Sequence, residues 1–233
     1  MTGLTVLPVE GLAEVRQGDV LADLIAAAVT LVDGDVVVVT QKVVSKAEGR
    51  VVALDPTLGA AAHRQLVENE SVRVLRRRGD LVVSETAHGF VCANAGVDLS
   101  NMEPGTAALL PVDADRSARR IRDGLRGRAG VQVGVIVSDT FGRPWRRGLT
   151  DVAIGTAGVA AVVDLRGRSD TFGRPLHVTE VCVADELAGA AELVMGKASG
   201  VPVAVVRGVD PAWLRESSVR AEIVRPPAED LFR

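Results

Sequence analysis

The sequence contains no tyrosine, and aromatic residues make up only 3% of it. The core must therefore be built from Val, Leu, Ile and Ala, and base-stacking platforms for single-stranded nucleic acid have almost no residues to use. The net charge of -3 and the isoelectric point near 5.7 provide no broad basic field for a polyanion such as DNA. We expect no nucleic-acid partner, whereas a small anionic ligand needs only a local cluster of cations.

Cysteines and long apolar runs are also scarce. Cys92 and Cys182 each lie in an apolar stretch without a CxxC partner or a histidine at ligand spacing, which is typical of buried free thiols in a reducing cytosol. No apolar stretch approaches the roughly 20 residues that would span a bilayer. Residues 1–11 lack the basic segment and apolar run of a signal peptide. These absences predict a cytoplasmic protein with no membrane partner.

The length and composition of the chain are those of a compact domain. At 233 residues, with 47% hydrophobic and 24% charged residues, the chain is long enough to bury an adequate core. No low-complexity linker marks a boundary, so we expect a single unit over residues 1–233. The sequence leaves open a division of this unit into two structural subdomains.

Apolar periodicity predicts helices and strands in alternation. Helices are predicted over 19–32, 58–78, 114–128 and 186–197. Asp115 or Ser117 is the expected cap of the third, and Leu187, Ala190, Leu193 and Val194 lie on one side of the fourth. Strands are predicted over 35–40, 81–84, 89–93, 131–137, 159–165, 178–183 and 201–206. The order lacks a regular βαβ rhythm, and several neighbouring strands are close enough to pair antiparallel. The pattern favours an α+β fold of mixed sheets with flanking helices.

The heptapeptide SDTFGRP occurs twice, at 138–144 and 169–175. The first copy follows an apolar strand, so Ser138, Asp139 and Thr140 are expected at the strand end, with a sharp turn at Gly142. A carboxylate and a hydroxyl placed together can bind a hard divalent cation, and the arginines that follow can contact anionic oxygens. A merely structural Asp turn fits this context equally well. The second copy follows a polar loop and is expected to form a turn that packs near the first, with substrate contact as the alternative.

Further polar residues follow other predicted elements. Lys42 and Lys46 leave the end of a buried strand, where they suit phosphates or simply the surface. Asp98 and Asn101 follow a run of small residues that permits close approach of a ligand. The segment 196–200 resembles a phosphate loop but fails the Walker A pattern, because Ala191 and Ala198 replace its first glycine and its Ser/Thr. The three histidines are dispersed, which argues against a zinc site.

Taken in order, seven motifs match one known family. They are LPVEGL at 7–12, TQKVVSKAEGR at 40–50, ETAHGFVCANAGVDLSN at 85–101, LLPVD at 109–113, SDTFGRPWRRG at 138–148, ELVMGKASGVPVAVVRG at 192–208 and RPPAEDLFR at 225–233. In these motifs the chain resembles the coenzyme F-420-0:L-glutamate ligases over nearly its whole length. The resemblance implies an α+β fold in an intertwined homodimer. It also implies a GTP-dependent ligase that adds L-glutamate to coenzyme F-420-0, forming F-420-1 and longer γ-glutamyl forms.

The resemblance also implies roles for individual residues. Asp98 and Asp139 would hold one Mg²⁺ or Mn²⁺ ion, and Thr140 would hold a second; potassium dependence is left open. The residues that would line the GTP site are Leu7, Pro8, Val9, Glu10, Gln41, Lys42, Lys46, Asn101, Leu193, Val194, Met195, Gly196, Lys197, Ala198, Ser199 and Gly200. In the implied reaction the γ-phosphoryl group of GTP passes to a carboxylate of the acceptor, and the amine of glutamate then displaces phosphate.

Two other functions stay open at this point. One is a ligase of the same mechanism with a different acceptor or amino acid, since no residue that selects glutamate is recognisable. The other is a non-catalytic protein that binds a nucleotide or a deazaflavin. Intact Asp98, Asp139 and Thr140 argue against a pure binding protein, which would need no paired metal ligands.

Overall fold

The computed structural model describes residues 3–231, so Met1, Thr2 and the last two residues of the RPPAEDLFR motif lie outside it. The first half of the chain forms β1 (Thr5–Pro8), α1 (Leu21–Ala28), β2 (Val36–Thr40), α2 (Gln41–Ala47), β3 (Val51–Ala53), α3 (Ala60–Glu70), β4 (Ser71–Arg78), β5 (Leu81–Thr86), β6 (Val91–Ala93) and β7 (Thr106–Ala108). The second half forms α4 (Ala114–Ala129), β8 (Gly134–Arg143), β9 (Arg146–Ala157), β10 (Val163–Asp164), β11 (Glu180–Val181), α5 (Val183–Met195), β12 (Val203–Arg207) and α6 (Val219–Glu222). No helix in this described part is long and apolar enough to cross a membrane.

A five-stranded sheet in the order β1-β12-β2-β8-β9 forms the centre of the molecule. Only β2 and β8 pair in parallel, with Val36 opposite Gly134 and Thr40 opposite Ser138. The valine run of β2 is fully buried because apolar clusters cover both faces of the sheet, one with α1, α2 and α4 and the other with α5 and α6. The predicted α+β architecture of sheets with flanking helices is confirmed.

A second region carries its own small sheet, β4-β5-β6, and a separate pair of strands, β3 and β7. Its apolar cluster joins Val67 of α3, Val82 of β5, Val97, Ala107 and Leu109. The molecule therefore has a third apolar cluster in addition to the two that cover the central sheet.

The predicted helix over 58–78 is wrong in its second half. The helix α3 ends at Glu70, and residues 71–78 form β4, whose Arg76, Arg77 and Arg78 pair with β5. Gly79, with a φ of +59°, provides the left-handed turn that returns the chain into β5. The charged residues misled the prediction because a solvent-exposed strand and a solvent-exposed helix face accept the same side chains.

The hairpin β8–β9 also differs from prediction. No strand was predicted over 146–157, whereas β9 is the longest strand of the described chain, and the predicted strands at 159–165 and 178–183 shrink to the two-residue β10 and β11. The expected turn at Gly142 is wrong, because pairing with β9 continues through Gly142 as far as Arg143. The signal for β9 was weak because its first residues are charged and exposed.

Asp113 caps the start of helix α4, and its side chain accepts a hydrogen bond from the Arg116 amide at 2.8 Å. The predicted caps, Asp115 and Ser117, are wrong, since both lie buried inside the helix. The fourth predicted helix is confirmed as α5, but Leu193 is exposed and the inner face is formed by Val183, Ala184, Leu187, Ala188, Ala191 and Met195.

The buried carboxylate of Asp115 connects three elements. It accepts hydrogen bonds from the Thr156 amide of β9 at 2.8 Å, from the Ser218 hydroxyl at 2.7 Å and from the amides of Val219 and Arg220 at 3.0 and 3.2 Å. The hydrogen bonds from Thr156 and Val219 are buried, and those from Ser218 and Arg220 are partly buried. One side chain therefore accepts the hydrogen bonds of the donors at the start of α6 and holds that helix against α4 and β9.

We expect Asp115→Ala to reduce the free energy of unfolding by about 3 kcal/mol, because it leaves buried donors without an acceptor. Asp113→Ala, which removes only an exposed helix cap, should cost about 1 kcal/mol. Urea denaturation of both variants and the unchanged protein measures the difference. Equal losses in the two variants would show that the Asp115 network contributes nothing beyond a cap.

Candidate functional site

Two elements deliver polar residues to the edge where β2 and β8 run parallel. Helix α2 begins directly after β2, so Lys42 and Lys46 are one turn apart on the same helix. Strand β8 carries Asp139 and Thr140 immediately after Ser138, the last residue paired with β2. The register between β8 and β9 shifts between Val137 and Ser138, which is where the polar residues begin.

Asp98 lies opposite Lys42 in this cluster. Its Oδ2 atom is 2.7 Å from Lys42 Nζ, and its Oδ1 atom accepts a hydrogen bond from the Ser100 amide at 2.7 Å. Burial by itself would raise the pKa of Asp98, but the hydrogen bonds from Lys42 and Ser100 outweigh it and hold that pKa below its usual value. Asp98 is therefore ionised at neutral pH.

The pKa of Asp139 is shifted in the opposite direction. Burial, with the negative charges of Asp98 and Asp151 as a smaller contribution, raises its pKa to about 7, while the Thr140 amide and Lys197 act against this rise. No ion pair is formed by Asp139 with any residue of the described chain. Negative charge at this carboxylate is thus offset only in part, by the nearby charge of Lys197.

The donor set fits a hard divalent cation, which prefers carboxylate and hydroxyl oxygens. Residues 3–231 contain no group of three or more His, Cys, Asp and Glu side chains that could share a metal ion. An ion held by Asp98 and Asp139 would therefore take its remaining ligands from water or from a substrate. Phosphate oxygens commonly fill those positions on magnesium.

Asp151 is the residue that the sequence analysis missed. It lies on β9 directly opposite Thr140 and is only 2% exposed. Its carboxylate accepts hydrogen bonds from Ser138 Oγ at 3.0 Å and from Thr140 Oγ1 at 2.5 Å, and lies 3.4 Å from Lys197 Nζ. It escaped notice because β9 itself was not predicted.

The lysines carry a signal that the sequence analysis overlooked. Only three of the 27 lysines and arginines are lysines, and all three belong to the residues predicted for the site. Lys42 contacts Asp98 and Ser100, Lys46 pairs with Glu14 at 2.7 Å, and Lys197 contacts Thr140 and Asp151. This distribution would have singled out Lys197 without a structure.

The structure brings some of the predicted nucleotide residues together. Asn101 donates a hydrogen bond from Nδ2 to the carbonyl oxygen of Lys197 at 3.1 Å, which joins the loop after Asp98 to the loop over 196–200. Asn101 has a φ of +52°, so the backbone of its loop is held in an uncommon left-handed conformation. The two loops and the start of α2 thus border one cluster that contains Lys42, Asp98, Asn101, Thr140 and Lys197.

Other residues predicted to bind the nucleotide have different surroundings from this cluster. Leu7 and Pro8 are part of β1, at the far edge of the sheet beyond β12, and they are followed by buried Val9 and exposed Glu10. Gln41 is buried, and its amide nitrogen donates to Ser45 Oγ at 2.7 Å and to the Leu109 carbonyl at 2.9 Å. Met195 is buried in the core, whereas Leu193 is exposed.

The two copies of SDTFGRP have different structures. The first is part of β8, while the second is a loop between β10 and β11, closed by a bridge between Ser169 and Pro175. In this loop the Asp170 carboxylate accepts hydrogen bonds from the amides of Phe172 and Arg174, both at 2.8 Å. The predicted turn is confirmed, whereas its packing near the first copy stays a prediction. Asp170 is the side chain that stabilises the turn.

Two clefts lie away from this cluster. One, of about 410 Å³, is lined by residues of α1, α2 and α4 with Arg116 and Arg120 among them. The other, of about 320 Å³, is lined by Arg122, Arg126 and the segment 214–216. Neither is lined by any residue of the predicted site, so the chemistry of the cluster, rather than the volume of a cleft, identifies the candidate site.

Comparison with known proteins adds independent information. The family model described as F420-0:Gamma-glutamyl ligase matches residues 11–208. The chain is 43% identical to the coenzyme F420:L-glutamate ligase of Methanothermobacter thermautotrophicus, over 99% of each chain. It is 44% identical to the protein of that name from Methanopyrus kandleri over 100% of both chains, and 45% identical to that from Archaeoglobus fulgidus over 98% of this chain and 96% of the relative.

We expect Asp139→Asn to stabilise the metal-free protein at pH 8 by an amount on the order of 1 kcal/mol. The folded pKa of about 7 lies above the ordinary value of 3.8, so the folded state binds the proton more tightly than the unfolded state. This group therefore makes the protein less stable as the pH rises from about 4 to 7.

Urea denaturation in EDTA at pH 5 and pH 8 measures this effect. The gain of Asp139→Asn over the unchanged protein should be larger at pH 8 than at pH 5. Asp170→Asn, the same substitution in the second heptapeptide, is the control and should show no such gain. An Asp139→Asn gain that does not increase with pH would contradict the raised pKa.

Proposed function

The chain belongs to the F420-0:gamma-glutamyl ligase family and is an amide-forming ligase, and we propose that it uses GTP to join L-glutamate to coenzyme F-420-0. The observation that supports this most directly is the meeting of Asp98, Asp139 and Thr140 with Lys42 and Lys197 at one edge of the central sheet. Carboxylates and ammonium groups side by side suit a metal-bound triphosphate.

Ligation requires an activated carboxylate, because a free carboxylate is a poor acyl donor at neutral pH. In the proposed first step a carboxylate oxygen of the acceptor attacks the γ-phosphorus of GTP, the bond to the bridging oxygen of GDP breaks, and an acyl phosphate forms. The amine of glutamate then attacks the acyl carbon, phosphate leaves with its electron pair, and the amine loses a proton to solvent. The products are the amide, GDP and phosphate, and repetition on the new γ-carboxylate extends the tail.

Asp98 and Asp139 would hold a Mg²⁺ or Mn²⁺ ion, which supplies positive charge next to the transferring phosphoryl oxygens. Lys42 and Lys46 lie one turn apart on α2 and can each donate to phosphate oxygens. Lys42 would exchange its contacts with Asp98 and Ser100 for the phosphates when the nucleotide arrives. The buried side chain of Gln41 already donates to Ser45 and Leu109, so it holds α2 in place beneath these lysines.

The loops that border the cluster are the proposed walls of the nucleotide site. The segment 193–200 contains the last residues of α5 and the loop after it, and Asn101 connects this loop to the loop of Asp98. Residues 7–10, at the end of β1 and directly after it, complete the proposed set from the edge of the sheet beyond β12. This assignment rests on the resemblance and on the proximity of Asn101 to Lys197.

We also propose that two chains associate as a homodimer. The end of the hairpin β8–β9 exposes Leu149, whose surface is 68% accessible, and Trp145, and the loop between β10 and β11 exposes Phe172. Large exposed apolar side chains are typical of surfaces that a second copy covers. Strand β8 and the exposed end with Trp145 and Leu149 belong to the same hairpin, so association would also fix the position of the site.

Leu149→Lys is expected to convert a dimer into a monomer, because it places a charge in the proposed apolar contact. Light scattering of the purified protein gives the mass directly. Leu231→Lys, which changes a still more exposed leucine near the end of the described chain, is the control and should leave the mass unchanged. A monomer in the unchanged protein would contradict the proposed dimer.

The ligase activity is tested by mass spectrometry with coenzyme F-420-0, L-glutamate, GTP and Mn²⁺, omitting one component at a time. We expect a product heavier by one or more glutamyl units, with GDP formed only when the acceptor is present. GTP hydrolysis without product would indicate a different acceptor or amino acid. Tight nucleotide binding without any reaction would indicate a non-catalytic binding protein.

The two heptapeptides provide a matched pair of variants for this assay. Asp139→Asn should lower turnover by at least about 100-fold, because it removes a proposed metal ligand next to the transferring phosphoryl group. Asp170→Asn changes the same residue in the same seven letters and should keep normal turnover. Near-normal activity of Asp139→Asn would contradict the assignment of the site.

A further inference from the structure

Three rings lie in a row between the turn after β5 and strand β8. The rings of His88 and Phe90 are stacked, with centroids 5.8 Å apart and planes 13° apart. The ring of Phe90 meets that of Phe141 edge to face, with centroids 6.1 Å apart and planes 75° apart. Both arrangements are favourable for aromatic pairs. Two of the four phenylalanines of the chain thus form one row with a histidine, and we call these three side chains the ring row.

One end of the ring row lies beside the proposed ion. Phe141 and Asp139 are two residues apart in a stretch of β8 that pairs regularly with β9, so their side chains point to the same face of the sheet. Phe90 directly precedes β6, and β6 contacts β8. The contact between Phe90 and Phe141 therefore fixes where β6 lies relative to the strand that carries Asp139.

The other end of the ring row is fixed by a hydrogen bond. Nε2 of His88 donates to the carbonyl oxygen of Pro111 at 2.8 Å, because a carbonyl oxygen can only accept. Nδ1 of the same ring is buried and has no hydrogen-bond partner within residues 3–231. A buried nitrogen without a partner costs stability, and a phenylalanine would stack on Phe90 without that cost. The bond to Pro111 is therefore the property that distinguishes histidine at this position.

The bond to Pro111 connects the ring row with Asp98. The Asp98 amide donates to the Ala108 carbonyl at 3.0 Å, and the Ala108 amide donates to the Asp98 carbonyl at 2.8 Å. Pro111 follows Ala108 by three residues in a buried segment of the chain. A continuous path of contacts therefore leads from Asp98 through Pro111 and the ring row to Asp139.

The turn that carries His88 is itself held in place. The Thr86 amide donates to the Phe90 carbonyl at 2.9 Å, and the Gly89 amide donates to the Thr86 carbonyl at 2.9 Å. Gly89 has a φ of +88°, and a Cβ atom at this residue would lie 2.8 Å from Cγ1 of Val224. The ring of His88 thus projects from a closed turn that packs directly against the segment after α6.

We propose that His88 and Phe90 are positioning residues for the proposed ion. They set the separation between the carboxylates of Asp98 and Asp139, and thereby the affinity of the site for a divalent cation. This inference rests on the proposed function for that ion. Neither side chain is a ligand, because both act through the backbone segments that carry the two carboxylates. Groups outside the ligand shell that orient the ligands commonly change metal affinity by roughly 10-fold to 100-fold when they are substituted.

The affinity for Mn²⁺ tests this inference without any measurement of turnover. We would titrate the full chain with Mn²⁺ in the presence of a non-hydrolysable GTP analogue and follow free Mn²⁺ by electron paramagnetic resonance. Phe90→Leu keeps an apolar side chain but removes the ring, whereas His88→Phe keeps a ring but removes the bond to Pro111. Each should raise the dissociation constant of Mn²⁺ by about 10-fold. The combined variant should lose little more than the weaker of the two single variants, because both changes interrupt the same path.

The melting temperature is measured in parallel, because a merely structural role would lower it and leave the affinity for Mn²⁺ unchanged. Ile25→Ala is the control, since Ile25 is buried in α1, which supplies no residue to the ring row. It should melt at a lower temperature and keep normal affinity for Mn²⁺. His88→Phe should melt close to the unchanged protein, since it loses one hydrogen bond but also the nitrogen without a partner. In the ligase assay, excess Mn²⁺ should restore the turnover of both ring variants.

Normal affinity for Mn²⁺ in either single variant would overturn this inference and leave the proposed function intact. An equal loss of affinity in Ile25→Ala would also overturn it, since the loss would then follow stability alone. Additive losses in the combined variant would contradict a single path through the ring row. Absence of Mn²⁺ binding in the unchanged protein would contradict the proposed ion on Asp98 and Asp139, and this inference would fail with it.

Discussion

The parallel pairing of β2 with β8 is the constraint on which the candidate site depends. Because the two strands run in the same direction, α2 leaves one of them at the point where Ser138, Asp139 and Thr140 occur on the other. Parallel strands must be buried on both faces, and the valine run of β2 meets that requirement. The hydrophobic core therefore decides where the lysines and the carboxylates meet.

The carboxylates of the site differ in how far the protein balances their negative charge. Hydrogen bonds from Lys42 and Ser100 keep Asp98 ionised, whereas burial raises the pKa of Asp139 to about 7. Asp151 carries a third carboxylate, but its charge is matched by hydroxyl donors and by Lys197. The site thus contains one carboxylate that lacks a protein cation, which is the property that a divalent ion with a bound phosphate would use.

The repeated heptapeptide shows how context selects chemistry from identical residues. In β8 the strand pairing with β9 keeps the backbone extended, and the Thr140 amide is the backbone donor that acts on the Asp139 carboxylate. In the loop between β10 and β11 the same seven residues turn on themselves, and the Asp170 carboxylate is satisfied by two amides of that turn. An acidic side chain that stabilises its own turn has little capacity left for a ligand.

The sequence by itself determined the α+β class, the buried strands β2 and β12, the family and most of the candidate residues, because apolar periodicity and ordered motifs are local properties of the chain. It did not reveal β9 or β4, since charged residues at the surface are compatible with either a helix or a strand. Only the tertiary structure placed Asp151 opposite Thr140 and brought Lys197 onto both of them, because these contacts join residues 11 to 57 positions apart. Such contacts depend on strand register and on where a helix ends, and neither is encoded in any short stretch of sequence.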